Sequence, residues 1–316
     1  MTVLLNRSAV SSLLDPGAVL HALREGFVAE SPVPPLRART DLPGPGTAVA
    51  QLPGLVAGVP AYTVKVNAKF PAAAPALRGV VCLHDLADGA LLALLDSAAV
   101  TAWRTGLAAA LATDVLAAPG AGSVAVIGAG AQARVVLQGL SRLRTLTRLT
   151  VCDVDRSRAM AFALEHETLL GVPVEVADTP AKAATLASVV ITATWSREPF
   201  LDADDLRPGM HVTALGADEP GKSELTADAL TAGRTFVDDL GLAVATGALG
   251  NAGLGAGAAA ATIGQVLRGD RAGRVTPIDV TVYAPVGLPW QDLALAWPVY
   301  RAALGAGRYP EVDFLA

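Results

Sequence analysis

Cysteine, aromatic residues and surplus positive charge are all scarce in this chain. The two thiols, Cys82 and Cys152, are too few and too scattered for a disulfide framework or a zinc cluster, so no metal site is expected. Aromatic residues make up 4% of the sequence while hydrophobic residues make up 52%. The core must therefore come from Ala, Val and Leu, which suits helices packed over a parallel sheet. Lys and Arg number 24 against 29 Asp and Glu, and a net charge of -5 gives no basic footprint for a nucleic-acid partner. The opening "MTVLLNRSAVSSLL" meets polar and charged residues too early for a secretory leader. Charge is missing altogether from residues 240–267, but seven glycines with Asn251 and Gln265 make that stretch a poor membrane span. A soluble cytoplasmic protein without a membrane partner is expected.

What is present divides the 316 residues into three parts, enough for two domains or one large α/β domain. Residues 1–45 hold a short helix, "DPGAVLHALREGFVAE", and a Pro-rich connection. Residues 48–96 hold β-like runs, "AYTVKVNAKF", "RGVVCLHD" and "ALLALLD", that suggest a small sheet. An alanine-rich helix follows, capped by Ser97 and stopped by Pro119–Gly120. Beyond it strands alternate with helices: "SVAVIG", "LTVCDV", "SVVITAT", "MHVTALG", "RTFVDD" and "DVTVYAP". Continuous apolar strands separated by helices imply a parallel sheet covered on both faces. A last helix begins after Pro289 and is expected to pack back on the first part.

The segment "SVAVIGAGAQARVVLQGL" reads as strand, tight turn and helix, with Gly128, Gly130 and Ala133 in the G-x-G-x-x-G/A pattern. Gly128 permits the turn, Gly130 lets the backbone approach a pyrophosphate, and Ala133 allows the helix close to the strand. A second strand ends at Asp153, where a carboxylate accepts hydrogen bonds from ribose hydroxyls. Asp153 favours NAD because it repels a 2′-phosphate. Arg156 and Arg158 close behind keep NADP open, and their plainer role is a solvated helix start.

Several charges stand inside apolar stretches. Arg104 lies on the helical stripe of Val100, Leu107, Leu111 and Val115, and a buried guanidinium needs an anionic partner. That partner is either a core carboxylate such as Asp96 or the carboxylate of a ligand. Lys65 alternates with Val64 and Val66, and by spacing alone is a solvent-facing strand residue. Arg39 passes as a loop arginine. Asp218 follows an apolar strand, where ligand sites of parallel sheets collect, but it also suits a turn before Pro220–Gly221.

These segments together resemble the ornithine cyclodeaminase/μ-crystallin family. The resemblance runs through "RTDLP" (39–43), "VKVNAKFP" (64–71), "LHDLADGALLALLDSAAVTAWRTGLAAA" (83–110), "VIGAGAQA" (126–133), "LGADEPGKSEL" (215–225) and "DVTVYAPVGLPWQDLALA" (279–296). It implies an α/β protein with a Rossmann-type doubly wound parallel sheet and a smaller α+β domain for substrate binding and dimerisation. The smaller domain would take residues 1–115 with about 289–316, and the Rossmann domain 116–288. Arg39, Lys65 and Arg104 are then expected to bind the α-carboxylate of an amino or imino acid, which moves Arg104 toward the ligand rather than Asp96. Asp218 is expected beside the reacting nitrogen, with Lys65 also polarising the bound acid. Cofactor contacts are expected from Gly128, Gly130, Ala131, Gln132, Ala133, Asp153, Thr192, Thr194, Val286 and Gly287. The protein is expected to be a homodimer.

One scaffold supports two outcomes. A dehydrogenase or imine reductase exchanges hydride with free NAD(P) and gives net redox change, whereas a cyclodeaminase returns the hydride and expels ammonia. Cyclodeaminases of this resemblance carry an acidic residue before a Met-Pro pair, where "TAVAQLPG" has Ala50, Gln51 and Leu52. An Asn usual after "FP" is missing from "FPAAAP", and Ala284–Pro285 replaces a common Lys–Ser. The expectation is an NAD(P)-dependent oxidoreductase on the C–N bond of a small α-amino or α-imino acid. The ornithine or lysine cyclodeaminase stands second, and a non-catalytic cofactor-loaded binding protein third.

Overall fold

The computed structural model describes residues 1–29, 33–73, 76–314 and 316. The chain divides into two compact units, residues 1–108 with 288–316, and residues 109–287. The division falls inside the helix Ser97–Leu116. That helix is capped by Asp96, whose Oδ1 accepts the Ala99 amide at 2.7 Å, and not by Ser97, which is its first residue.

The first unit is built on a seven-stranded sheet. Its strands run, across the sheet, Glu311–Val312, Thr2–Leu5, Leu91–Asp96, Leu77–Asp85, Ala61–Lys69, Ala48–Gly54 and Ala38–Asp41. The first strand and the edge pair Glu311–Val312 add to the run of β segments that the sequence suggests. Successive side chains of a strand face opposite sides, so register sorts them into two faces. Leu5, Leu95, Val81, Lys65 and Leu52 belong to one face, and all five are buried. Leu4, Leu94, Cys82 and Val64 form a row on the other and are only partly buried. The strand Ala61–Lys69 is thus turned against its own pattern. Thr63 and Lys65 point inward while Tyr62, Val64 and Val66 point outward. The helix Trp290–Ala306 packs on this unit, with Trp290 edge-on to Phe27 at 4.9 Å. Gly26 is required there, because a Cβ would lie 2.3 Å from the Trp290 ring.

The second unit is an eight-stranded, wholly parallel sheet. Its order is Ala259–Thr262, Arg234–Val237, Thr281–Tyr283, His211–Ala214, Val189–Thr192, Ser123–Ile127, Arg148–Cys152 and Val174–Val176. From Ser123–Ile127 the chain steps outward through two strands, then returns to lay Val189–Thr192 on the other side. Alternate residues feed two cores. Val124, Val126, Val151 and Ile191 pack with Val136, Leu140 and Phe162 on one face, and Ala125, Val190 and Val212 with Ala184, Leu201 and Leu230 on the other. This is the doubly wound arrangement that the alternation of strands and helices predicts. The edge strands Val174–Val176 and Ala259–Thr262 carry little signal in the sequence, the first being three residues long and the second mostly alanine. The charge-free stretch 240–267 forms short helices and one of these edge strands. Among the described residues no helix is long and apolar enough to cross a membrane.

Candidate active site

In the second unit every strand is parallel, so the loops after the strands collect along one edge of the sheet. After Ile127 the chain turns through Gly128 at φ +96°, a left-handed value that suits glycine. A Cβ there would also strike the Ala193 carbonyl oxygen at 2.6 Å, so the turn nests against the loop after the returning strand. Gly130 caps the helix Ala131–Leu143 without any side-chain hydrogen bond, and its Cβ position faces open space. A helix N-terminus with bare amides attracts an anion. Ala133 is fully buried, and the Gln132 Oε1 beside it is a buried acceptor with no hydrogen-bond partner among the described residues.

Asp153 bends back onto this turn. Its Oδ2 accepts the Ala129 amide at 2.8 Å, and its Oδ1 accepts the Asp155 amide at 2.9 Å and the Arg158 guanidinium at 3.4 Å. A carboxylate offers about four lone-pair sites, so room remains for a ribose hydroxyl. Arg156 is paired with Asp178.

Two buried carboxylates that the motifs did not single out staple the neighbouring loops. Glu224 accepts the Thr192 hydroxyl at 2.6 Å, the Thr194 amide and hydroxyl at 2.7 and 2.8 Å, and the Gly216 amide at 2.7 Å. Burial pushes its carboxyl above the ordinary range, and these four donors oppose the rise. Asp238 accepts the Val286 and Gly287 amides at 3.0 and 2.6 Å, with burial again raising its carboxyl against the amides. The donors of Thr192, Thr194, Val286 and Gly287 are therefore directed at protein carboxylates. Asp218 stands at the end of the Gly216 loop, 2.8 Å from Lys222 Nζ. Lys222 also lies 3.2 Å from Glu219 and over the Trp195 ring at 4.9 Å. Burial opposes its charge, but Asp218 and Glu219 outweigh that and hold its pKa above the usual value.

In the first unit Lys65 and Arg104 meet on one carboxylate. Lys65 Nζ lies 3.0 Å from Asp292 Oδ1 and 2.8 Å from Oδ2, and Arg104 Nε lies 3.2 Å from Oδ1. Arg104 Nη1 donates to Gln291 Oε1 at 2.7 Å, while its Nε makes no directed hydrogen bond. All four residues are buried, with Asp292 at 0% and Lys65 at 1% exposure. The partner of Arg104 is a protein carboxylate, which corrects the expectation of a ligand alone, and it is Asp292 rather than Asp96. Lys65, which spacing alone put at the solvent-facing side of its strand, is in the core. Burial pulls its ammonium down to about 8, with Arg104 adding to the fall and Asp292 opposing it.

Arg39 shares this face of the sheet but not the cluster. It is opposite Ala50, which is opposite Asn67, so one strand intervenes, a spacing of about 10 Å between the outer chains. Its guanidinium pairs with Asp41 at 2.8 Å. Ala50 and Leu52 also lie on the Lys65 face, and Gln51 on the opposite one. Asp292 was legible by the logic applied to Arg104, since it is a lone charge within "GLPWQDLALAW".

A doubly wound parallel sheet with a glycine turn at its reversal point defines a Rossmann-type α/β protein. The chain belongs to the ornithine cyclodeaminase/mu-crystallin family, whose model matches residues 47–307. It is 36% identical over 228 residues to the L-lysine cyclodeaminase of Streptomyces rapamycinicus, covering 67% of this chain and 66% of that one. Its structure resembles an archaeal alanine dehydrogenase dimer with bound NAD, with TM-score 0.93, 28% identity and 99% of each chain covered. It also resembles the Thermococcus litoralis Δ1-pyrroline-2-carboxylate reductase in complex with NADH and L-proline, with TM-score 0.93, 25% identity, and 98% of this chain and 100% of that chain covered.

Proposed function

We propose that this protein is an NAD(P)-dependent oxidoreductase acting on the C–N bond of a small α-amino or α-imino acid. One observation carries the reading: two buried cations, Lys65 and Arg104, share a single carboxylate, Asp292. Their excess of one positive charge in a low-dielectric setting calls for a further anion, and an amino acid's carboxylate supplies it. Arg39, on the same sheet face, is the third member of this clamp.

Gly128, Gly130, Ala131, Gln132 and Ala133 fit a dinucleotide's pyrophosphate, given the bare helix start and the open space at Gly130. Asp153 suits the ribose hydroxyls of NAD and, as an anion, repels the 2′-phosphate of NADP. Thr192, Thr194, Val286 and Gly287 complete the cofactor contacts through the loops that Glu224 and Asp238 hold in place. A nicotinamide held there would supply or accept the hydride at the substrate Cα. Lys65 and Arg104 fix the carboxylate and so orient Cα, while Asp218 holds or moves the proton at the reacting nitrogen. Lys222 holds the Asp218 carboxylate in place.

The apolar face of Leu4, Leu94, Cys82, Val64 and Val66 is where we place the homodimer contact, since an inward Lys65 and outward valines make sense when a second copy covers the valines. We also place the protein in the cytoplasm, where the thiols Cys82 and Cys152 stay reduced.

Ala50 and Leu52 put only apolar groups beside Lys65 where an acidic side chain would read a terminal ammonium, which favours net redox over cyclodeamination. Incubation with NAD and a panel of amino acids, and with NADH and cyclic imines or 2-oxo acids plus amine, tests this. Net formation or loss of reduced nicotinamide is expected. Ammonia and a cyclic product from ornithine or lysine without net redox would establish a cyclodeaminase instead; the 36%-identical relative is an L-lysine cyclodeaminase. Binding without turnover would leave a carrier.

A further inference from the structure

We propose that Asp292 is a positioning residue for the anion-binding pair: one fully buried carboxylate at the start of the last helix holds Lys65 and Arg104 side by side and cancels one of their two charges. A monoanionic ligand then brings the cluster to neutrality. The inference rests on the reading of Lys65 and Arg104 as a carboxylate clamp and identifies what holds that clamp. Asp292 comes from a helix far away in sequence, and both of its oxygens lie within ion-pair distance of Lys65. Oδ1 faces Lys65 Nζ at 3.0 Å and Arg104 Nε at 3.2 Å, and Oδ2 faces Lys65 Nζ at 2.8 Å. Gln291 steadies the same assembly, its Oε1 accepting Arg104 Nη1 at 2.7 Å and the Leu288 amide at 3.3 Å.

Among the charged groups that act on Lys65, Asp292 opposes the positive ones. Leu52 and Val81 flank Lys65 in the sheet, and Thr101 Oγ1 lies 3.4 Å from its Nζ. Arg104 and Arg37 both disfavour its protonation, and Asp292 favours it. With Asp292 neutral, two buried like charges repel, and the lysine loses its proton more readily. With Arg104 neutral, the lysine keeps its proton longer.

Lysine-selective 13Cε NMR of the full chain tests this without reference to catalysis. Lys65, Lys69, Lys182 and Lys222 are the chain's lysines, so few resonances need assignment. The Lys65 signal is expected to titrate near pH 8, to move lower by about one to three pH units in Asp292→Asn, and to return toward 8 in Asp292→Glu. Should Asp292→Asn not fold, Arg104→Met is the second probe, with an upward shift expected. The alkaline limb of kcat/KM, once a substrate is in hand, should follow the NMR values. A Lys65 signal unmoved by Asp292→Asn, or by Arg104→Met where the first variant does not fold, would overturn the proposal. Shifts in the expected directions without turnover of any amino or imino acid would sink the proposed function and leave the role of Asp292 standing.

Discussion

Lys65 and Arg104 are two buried cations on one carboxylate, under-balanced by one charge. A buried ion pair with one cation per carboxylate is complete; here the second cation leaves donors for something else. Truncation of Arg104 to Ala is expected to weaken substrate engagement by about 1.5–3 kcal/mol, read as a rise in KM for the α-carboxylate substrate, because it removes a charge-assisted contact. An unchanged KM would remove Arg104 from the clamp. Asp218→Asn is expected to keep cofactor affinity while abolishing turnover, checked by titration of the cofactor beside the activity assay; full activity would dismiss Asp218. The pH dependence has two opposite arms. Lys65 sits at about 8 in the folded protein and near 10.4 when unfolded, so the unfolded chain binds more protons between those values. Its contribution to stability therefore rises as pH climbs from about 8, while substrate affinity falls over the same rise. Denaturant midpoints and KM are both expected to rise across that window, the first reporting stability gained and the second affinity lost.

At the scale of elements, loops after parallel strands are fixed by buried carboxylates and by glycines. Glu224 binds two successive loops through four donors, and a Cβ on Gly216 would lie 2.3 Å from its Oε1. Gly128→Ala is expected to destabilise the fold by more than the roughly 1 kcal/mol of an ordinary glycine change, because φ is +96° and the Ala193 carbonyl blocks the methyl. It is also expected to lose cofactor binding, as isothermal titration would show; wild-type affinity would separate the turn from the cofactor. The alternating strands and the glycine turn were legible because each is local, written in period and in neighbouring residues. The Lys65 strand was not, since a period of two says which residues share a face but not which face is buried. Asp292 was legible only in part, for a related reason. Its charge is plain in the sequence, but its meaning comes from a strand and a helix distant along the chain.

For the molecule as a whole, the outward valines of that strand carry the expectation of a second copy. Sedimentation is expected to show a dimer, and Val64→Asp with Leu94→Asp to shift it to monomer with unchanged circular dichroism. A wild-type monomer would leave the outer face unexplained. Lys65, Arg104 and Asp292 belong to the unit 1–108 with 288–316, and the glycine turn and Asp218 to the unit 109–287. The proposed role of Lys65 and Arg104 is to read a substrate carboxylate for redox chemistry at the adjacent carbon. The most direct test is kcat/KM for hydride exchange with an α-amino acid, compared with the same amine lacking its carboxylate, in the wild type and in Arg104→Met. The wild type is expected to prefer the acid strongly, and Arg104→Met to lose most of that preference. Equal preference in both proteins, or no hydride exchange with either compound class, would contradict it.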